Sequence, residues 1–316
     1  MTRVFVFCLE KKLDSDGNVR HYGNMSAHTD SGEEYIVILF YKFLDISDTA
    51  AFKIEQRRLA ETHRLMGRIL VATEGINATL EGTRDSIEAY KKALQADPRF
   101  ADLVVKESAG TGSAFTKLEV RIRPEIVTLG AGSFDIEKET APTISADDLD
   151  KLYETNEDFV VLDLRNDYET AVGVFDKTID PALKNFRDLP EKLPELERLK
   201  EKKVVTVCTG GIRCEKATCL LKREGFTNIV QLKDGIHTYM QKYPGKHFKG
   251  SLFVFDNRMT TPVVDTADRA IVGMCAFCEK PCEDFYSDDS VRPSRKVICC
   301  KSCAEPRKTQ LRSCAA

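Results

Sequence analysis

The part of the chain best equipped for chemistry is the run Cys208-Thr209-Gly210-Gly211-Ile212-Arg213. An apolar, β-branched stretch at 204–207 leads into the cysteine, and a helix-forming run follows as far as Gly225, so the pattern predicts a tight strand-to-helix turn. Two adjacent glycines let the backbone turn its N–H groups inward, and the helix N-terminus adds partial positive charge. Together with the cation of Arg213, these groups are expected to lower the pKa of Cys208 and to stabilise a thiolate or a persulfide.

Two further interpretations of this loop stay open. A cysteine at the end of a strand is often only a packed core side chain. Cys214, at the start of the helix, is a second candidate for the reactive thiol, or for a thiol that resolves an oxidised Cys208. The glycines and the arginine favour Cys208 as the nucleophile, with Arg213 and Cys214 as further catalytic candidates. The predicted loop around the nucleophile consists of Thr209, Gly210, Gly211 and Ile212.

A second cluster of cysteines lies near the C-terminus, where seven of the eleven cysteines fall between 275 and 314. In a reducing compartment such a cluster favours metal binding over disulfides. Two Cys-x-x-Cys pairs, separated by 21 residues, match the spacing of a zinc ribbon. Zinc is the favoured occupant, an iron–sulfur cluster is a weaker alternative, and a reduced, metal-free tail is the third. The predicted ligands are Cys275, Cys278, Cys300 and Cys303, with Cys282, Cys299 and Cys314 in surplus.

The elements that must position these groups begin with strand- and helix-like segments between residues 35 and 135. Their order, β-α-β-β-α-β, predicts a ferredoxin-like α+β domain with its helices on one face of the sheet. The predicted strands are 36–41, 68–73, 76–81, 102–106 and 117–123, and the predicted helices are 48–65 and 84–95.

The last of these strands has one basic face. Leu118, Val120 and Ile122 alternate with a mostly basic set, so the two sets should face opposite sides of the sheet. A solvated face and a face that contacts RNA phosphates are both compatible with this pattern. The candidate RNA-binding residues are Lys117, Arg121 and Arg123.

Strands and helices alternate again from about 140 to 250. Ser145 is a suitable helix N-cap, and strands are predicted at 159–164, 204–208 and 228–232, with helices at 214–224 and from about 236. This alternation predicts a parallel α/β sheet, in which ligands bind at the carboxyl ends of the strands. Asp163, Arg165 and Cys208 all fall there, so the first two are predicted to support the site.

The bulk composition allows a soluble, multidomain α/β protein. The chain has 316 residues and a net charge of −3, which excludes a uniformly basic nucleic-acid coat but not a local basic surface. Since no apolar run approaches the ~20 residues of a membrane span, we expect a cytoplasmic protein without membrane association. The predicted units are an extension at 1–34, a ferredoxin-like domain at 35–135, a parallel α/β domain at 140–250 and a small cysteine-rich region at 251–316.

The cysteine loop resembles that of the rhodanese family, whose loop has the same six-residue length. Val160-Val161-Leu162-Asp163-Leu164-Arg165-Asn166 and Gly235-Ile236 also match, whereas Gly173-Val174 departs from the Gly-His of many relatives. The related phosphatases use a loop one residue longer. Within the rhodaneses, the chain resembles the tRNA uridine(34) hydroxylases over about residues 35–316. That match also rests on the runs at 67–77, 121–127 and 208–216 and on Phe253-Val254-Phe255-Asp256 before the cysteine-rich tail.

The resemblance implies oxygen-dependent conversion of uridine to 5-hydroxyuridine at the wobble position of tRNA. Molecular oxygen would be the co-substrate and tRNA the partner, an electron donor would be required, and no protein partner is implied. The residues alone lead only to an activated cysteine beside an RNA-binding surface. Two alternatives therefore stay open: a sulfurtransferase that carries a persulfide on Cys208, and an RNA-binding protein on a rhodanese scaffold that performs no chemistry.

Overall fold

The computed structural model describes residues 10–13, 19–22, 33–263 and 269–314. Most of the predicted extension at 1–34 lies outside these residues. The described part of it contains an antiparallel pair of strands, β1 (Glu10–Leu13) and β2 (Val19–Tyr22). Among the described residues, no helix is both long enough and apolar enough to cross a bilayer.

The N-terminal unit is a five-stranded sheet covered on one face by two helices. Its sheet order, β6-β3-β5-β4-β7, is that of a ferredoxin-like sheet with one additional edge strand. The predicted strand at 102–106 begins later in the structure. The elements are β3 (Tyr35–Phe43), α1 (Thr49–Thr62), β4 (Met66–Ala72), β5 (Gly75–Thr83), α2 (Arg84–Gln95), β6 (Lys106–Ala109) and β7 (Leu118–Ile122), with a 3-10 turn at Pro98–Phe100.

The two faces of this sheet have different roles because side chains alternate along each strand. In β3, Ile36, Ile38 and Phe40 are buried in the core beneath the helices. Leu39 and Tyr41 point to the opposite, helix-free face and line a cavity. The helix-free face is therefore available to cover another part of the molecule.

The central unit is built on five parallel strands in the order β11-β9-β12-β13-β8. The predicted parallel α/β fold is confirmed, and Ser145 caps α4 by accepting a hydrogen bond from the N–H of Asp148. The elements are α3 (Ile136–Glu139), β8 (Thr143–Ile144), α4 (Ala146–Glu154), β9 (Phe159–Asp163), α5 (Asp167–Thr170), β10 (Gly173–Phe175), β11 (Thr178–Ile179), α6 (Leu189–Leu196), β12 (Lys203–Val207), α7 (Ile212–Arg223), β13 (Ile229–Leu232), α8 (Gly235–Lys242) and β14 (Phe248–Gly250).

The C-terminal unit is a small cysteine-rich region around a three-stranded sheet in the order β18-β17-β19. Its core combines aromatic side chains such as Phe253 and Phe285 with buried cysteines. The elements are β15 (Leu252–Phe253), β16 (Thr260–Thr261), β17 (Phe285–Asp288), β18 (Arg295–Ile298), α9 (Lys301–Ala304) and β19 (Leu311–Ser313).

Buried ion pairs join the N-terminal and central units. Lys216 of α7 is 2% exposed at its side chain and lies 2.8 Å from the carboxylate of Glu74, with Glu125 as a second carboxylate partner. Lys106 of β6 is similarly buried, and its amine lies 3.1 Å from Asp234. Since an unpaired buried ammonium is strongly unfavourable, these pairs hold the helix-free face of the N-terminal sheet against the central unit.

Candidate active site

Cys208 lies directly after β12, and α7 begins four residues later at Ile212. Gly211 has φ +101, a backbone conformation that glycine adopts without strain, and its N–H donates to the Sγ of Cys208 at 3.2 Å. The cysteine is only 1% exposed overall, yet it lines a cavity. The predicted strand-to-helix turn therefore aims backbone N–H groups at the sulfur.

Glycines also allow other segments to approach the loop closely. A Cβ on Gly235 would lie 2.7 Å from backbone atoms of Cys208, Thr209 and Gly211. A Cβ on Gly210 would meet the side chain of Leu39 at 2.8 Å, and so the N-terminal sheet packs directly on the loop. The loop is fixed from below by the start of α8 and from above by β3.

The pKa of Cys208 reflects a balance of opposing effects. Burial raises it, whereas the thiol of Cys214, the guanidinium of Arg213 and nearby backbone N–H groups lower it, with a net lowering to about 6. Burial and the neighbouring Cys208 both raise the pKa of Cys214. The two cysteines therefore have different states at neutral pH: Cys208 is the thiolate, and Cys214 is a neutral thiol that donates to it.

Arg213 forms a buried, bidentate ion pair with Glu169. Its Nη1 lies 2.7 Å from Oε1, and its Nη2 donates to Oε2 at 3.0 Å. Glu169 is fully buried and also accepts hydrogen bonds from the hydroxyl of Thr209 and the N–H of Asn166. This carboxylate fixes the arginine beside Cys208 and compensates the burial of its charge.

Asp163 and Arg165, predicted to support the site, form a second buried ion pair behind it. Both side chains are fully buried, and Nη2 of Arg165 lies 2.6 Å from the aspartate. The same arginine donates to the carbonyl of Gly173 at 2.6 Å and to that of Glu169 at 3.3 Å. Neither residue lines the cavity, so any support they give to the site is indirect.

The cavity at Cys208 has a volume of about 330 Å³ and draws its walls from all three units. The central unit supplies the loop and His237. The N-terminal sheet supplies side chains that are neighbours across its strands, because Tyr41 pairs with Asn77 and Asn77 with Leu70. The C-terminal unit contributes Phe255. This volume lies at the small end of the range for ligand pockets.

Several cavity residues were not predicted from the sequence. Tyr41 donates to Glu215 at 3.3 Å, and Asn77 fixes its amide by donating to the carbonyl of Ile126 at 3.0 Å. His237 is buried, its Nδ1 has no hydrogen-bond partner, and burial with nearby cations lowers its pKa to about 4, so the imidazole is neutral. Each lies at least 29 residues along the chain from Cys208, and no pattern in the sequence predicted their proximity to it.

The three predicted RNA-binding residues share the cavity side of the N-terminal unit. Arg123 lines the Cys208 cavity itself. Lys117 and Arg121 line an adjoining groove, and each forms an ion pair with Glu119, at 2.7 and 2.8 Å. The predicted alternation holds for Val120, which is buried, but Ile122 is 43% exposed because the sheet ends at this edge strand.

Four cysteines of the C-terminal unit are positioned to bind a metal ion. The Sγ atoms of the two Cys-x-x-Cys pairs all lie within 4.8 Å of one another, and those of Cys278 and Cys300 are 3.7 Å apart. Zn–S bonds of about 2.3 Å in a tetrahedron require a similar sulfur separation. Cys282 and Cys299 lie outside this group. The four residues are Cys275, Cys278, Cys300 and Cys303.

Comparison with known protein families divides the chain into three matched segments. The model described as "UPF0176 acylphosphatase like domain" matches residues 35–126, the "Rhodanese-like domain" matches 145–242, and the "Rhodanase C-terminal" matches 249–315. The order of these matches follows the three units of the structure.

Two relatives match most of the chain. One from Staphylococcus aureus (strain bovine RF122 / ET3-1) is 41% identical over 273 residues, covering 84% of this chain and 84% of the relative. One from Onion yellows phytoplasma (strain OY-M) is 37% identical over 275 residues, covering 85% of this chain and 88% of the relative. Both bear the name tRNA uridine(34) hydroxylase.

Proposed function

Since this chain belongs to the tRNA uridine(34) hydroxylase family, we propose that it hydroxylates uridine at the wobble position of tRNA to give 5-hydroxyuridine. The observation that carries the proposal is the position of Cys208, a thiolate at the base of a cavity covered by a second unit. The cavity restricts access to one small group. A nucleotide in a single-stranded loop can enter it without breaking a duplex.

The proposed reaction uses molecular oxygen and a two-electron donor. One oxygen atom bonds to C5 of the uracil and replaces its hydrogen, and the other leaves as water, with two electrons from the donor balancing the exchange. The protein would activate the base and exclude water from it. Hydroxylation in oxygen-18 gas should place the heavy isotope in 5-hydroxyuridine, and anaerobic incubation should stop the reaction.

Cys208 is the proposed nucleophile toward the base. Addition of its thiolate to C6 makes C5 an enolate carbon, able to attack an electrophilic oxygen species, and divides one difficult step into two easier ones. Negative charge then gathers on O4, where donors in the cavity could stabilise it. After oxygen transfer, loss of the C5 proton and expulsion of the thiolate restore the aromatic base. Arg213 and Cys214 keep the sulfur anionic before it adds to C6, and they stabilise the thiolate again when it is expelled.

The four C-terminal cysteines are proposed to hold zinc. Four thiolates at tetrahedral spacing suit a closed structural site, which would stabilise this small unit and supply no open position for catalysis. The basic residues Lys117, Arg121 and Arg123 are proposed to contact phosphates of the tRNA, because they share the face on which the cavity opens.

Nucleoside mass spectrometry provides the direct test. tRNA from cells that lack the gene should lose 5-hydroxyuridine, and the wild-type gene should restore it. Cys208→Ser should restore none, whereas Cys214→Ser should restore part, since a hydroxyl still donates to the thiolate. Full restoration by Cys208→Ser would refute the assignment of the nucleophile, and unchanged 5-hydroxyuridine without the gene would refute the proposed reaction.

A further inference from the structure

A second cavity, of about 620 Å³, adjoins the one at Cys208 and lies between the N-terminal and C-terminal units. We call it the flanking groove. The two cavities share five lining residues, so the groove lies directly beside the site of the proposed reaction. The shared residues are Arg68, Phe115, Val254, Phe255 and Asp256.

The flanking groove is basic, although the whole chain has a net charge of −3. Its lining includes five cations and two carboxylates. Asp256 is engaged by Arg258 at 2.6 Å, Glu119 bridges Lys117 and Arg121, and Arg312 pairs with Asp289 at 3.1 Å. With Asp289 counted, five cations face three carboxylates, so the groove keeps a positive excess. The cations are Arg68, Lys117, Arg121, Lys296 and Arg312.

The C-terminal unit contributes an ordered row of polar groups to this lining. Lys296 of β18 and Arg312 of β19 both pair with Ser287 of the central strand β17. Residues paired across a sheet share a face, and two strand spacings separate the Cα atoms of Lys296 and Arg312 by about 10 Å. All three residues line the groove. A row of this kind suits the regularly spaced charges of a nucleic-acid strand.

Phe255 marks the junction of the two cavities. It is 43% exposed, and its neighbour Phe253 holds the ring edge-on at 5.2 Å between centroids. The guanidinium of Arg213 lies 5.6 Å from the centroid of the same ring. An exposed aromatic ring held in place beside a basic groove is typical of single-stranded RNA binding, in which bases stack on aromatic side chains.

We infer that the C-terminal unit binds the substrate directly: the anticodon-loop nucleotides next to the target uridine pass through the flanking groove, with Phe255 stacking on one base and Lys296 and Arg312 contacting phosphates. The inference rests on the proposed function for the identity of the RNA. It assigns to the Phe253–Asp256 run and the cysteine-rich unit a part in substrate recognition besides any structural one.

The test measures binding of a fluorescently labelled RNA hairpin that carries the anticodon loop, over a series of KCl concentrations. Lys296→Ala combined with Arg312→Ala should lower affinity on the order of tenfold. The salt slope, which is the slope of the logarithm of the binding constant against the logarithm of the KCl concentration, should decrease in magnitude by about 1.4. Each phosphate that is no longer neutralised contributes about 0.7 to this decrease. Phe255→Ala should also lower affinity on the order of tenfold but leave the slope unchanged, and Phe255→Tyr should restore binding.

Lys301→Ala combined with Lys308→Ala is the matched control, since both lysines are exposed in the same unit but lie outside the groove lining. This variant should bind as the wild type does. Circular dichroism and metal content establish that every variant is folded. Equal affinity and slope in the groove variants and the control would overturn the inference.

Binding and product formation are measured separately, so the two proposals can fail independently. A wild-type protein that binds the hairpin through these residues but forms no 5-hydroxyuridine refutes the proposed reaction and supports the groove. Full hydroxylation with unchanged binding in the groove variants supports the reaction and refutes the groove.

Discussion

Glu169 and Arg213 form a two-point ion pair within the protein interior, at 2.7 and 3.0 Å, directly behind the cysteine loop. The carboxylate belongs to α5 and the guanidinium to α7, so the pair joins two segments that come together only in the folded state. It compensates the charge of an arginine that would otherwise be buried alone.

Replacing Glu169 by Gln should therefore destabilise the protein. Removal of one partner of a buried ion pair leaves the other charge uncompensated, which lowers the free energy of unfolding by about 3 kcal/mol. Urea denaturation measures this change. Glu157→Gln, which breaks an exposed ion pair with Lys203, is the control and should have no measurable effect. Equal stability of the two variants would contradict the role given to Glu169.

The pH dependence of the reaction should follow the thiolate of Cys208. With a pKa of about 6, the active form is present above that pH and is lost as the pH falls through it. Arg213→Met and Cys214→Ala each remove a group that lowers this pKa, so both should move the acid limb of kcat/KM to higher pH. Cys214→Ser retains a donor and should move it less.

Alkylation of the Cys208 peptide by iodoacetamide gives an independent measure of the same pKa, because only the thiolate reacts. The alkylation rate and kcat/KM should shift together in each variant. An acid limb that stays in place when Arg213 or Cys214 is replaced would show that another group controls the reaction.

The C6 adduct can be trapped with tRNA that contains 5-fluorouridine at the wobble position. Fluorine on C5 blocks the loss of a proton that would release the thiolate, so the adduct should accumulate. Mass spectrometry should find the nucleotide bound to the Cys208 peptide, and Cys208→Ser should give no adduct. Repeated failure with an active enzyme would favour a sulfenic acid or persulfide on Cys208 that never bonds the base.

Metal analysis of protein purified without chelators should find about one zinc ion per chain. Cys278→Ser and Cys303→Ser should each reduce the zinc content strongly, because each removes one of four converging thiolates. Cys282→Ser, outside the group, should retain the metal. A folded, metal-free C-terminal unit in the wild type would show that the cysteines serve another purpose.

Replacing Lys117, Arg121 and Arg123 together by Ala should weaken tRNA binding and reduce its salt slope by about 2. Arg123→Ala alone should have the largest effect of the three single variants, since Arg123 lines the Cys208 cavity whereas the others share Glu119. The control replaces Lys53, Arg58 and Lys92 on α1 and α2, the helical side of the sheet. An unchanged salt slope in the Lys117, Arg121 and Arg123 triple variant would mean that these residues face solvent and do not contact RNA phosphates.

The sequence predicted the features that depend on local patterns. Short apolar segments predicted most strands of both sheets, alternation of apolar and polar residues supported β7, and the glycines after Cys208 predicted the turn. The spacing of the cysteines predicted the four whose sulfur atoms converge. Three further cysteines made the ligand set ambiguous in the sequence, and the structure places them outside the group. These features follow from neighbours in the chain, for which spacing carries the information.

The cavity walls could not be predicted in this way. Tyr41, Asn77, His237 and Phe255 come from different units, and their proximity to Cys208 depends on how the units pack. Glu169 illustrates the same limit, because its role requires Arg213, which lies 44 residues further along the chain. The roles of Asp163 and Arg165 stay predictions, and the structure restricts them to indirect support.

Because Glu74 and Glu125 surround Lys216, the central unit depends on the N-terminal unit to bury its lysine. A central unit expressed alone would expose to water an ammonium that its partner normally shields, and the thiolate of Cys208 would lose the covering β-sheet. A chimera that takes its N-terminal unit from a homologue should therefore fold and be active only when that unit supplies carboxylates that match Lys216. The N-terminal and central units thus depend on each other and act as one functional unit.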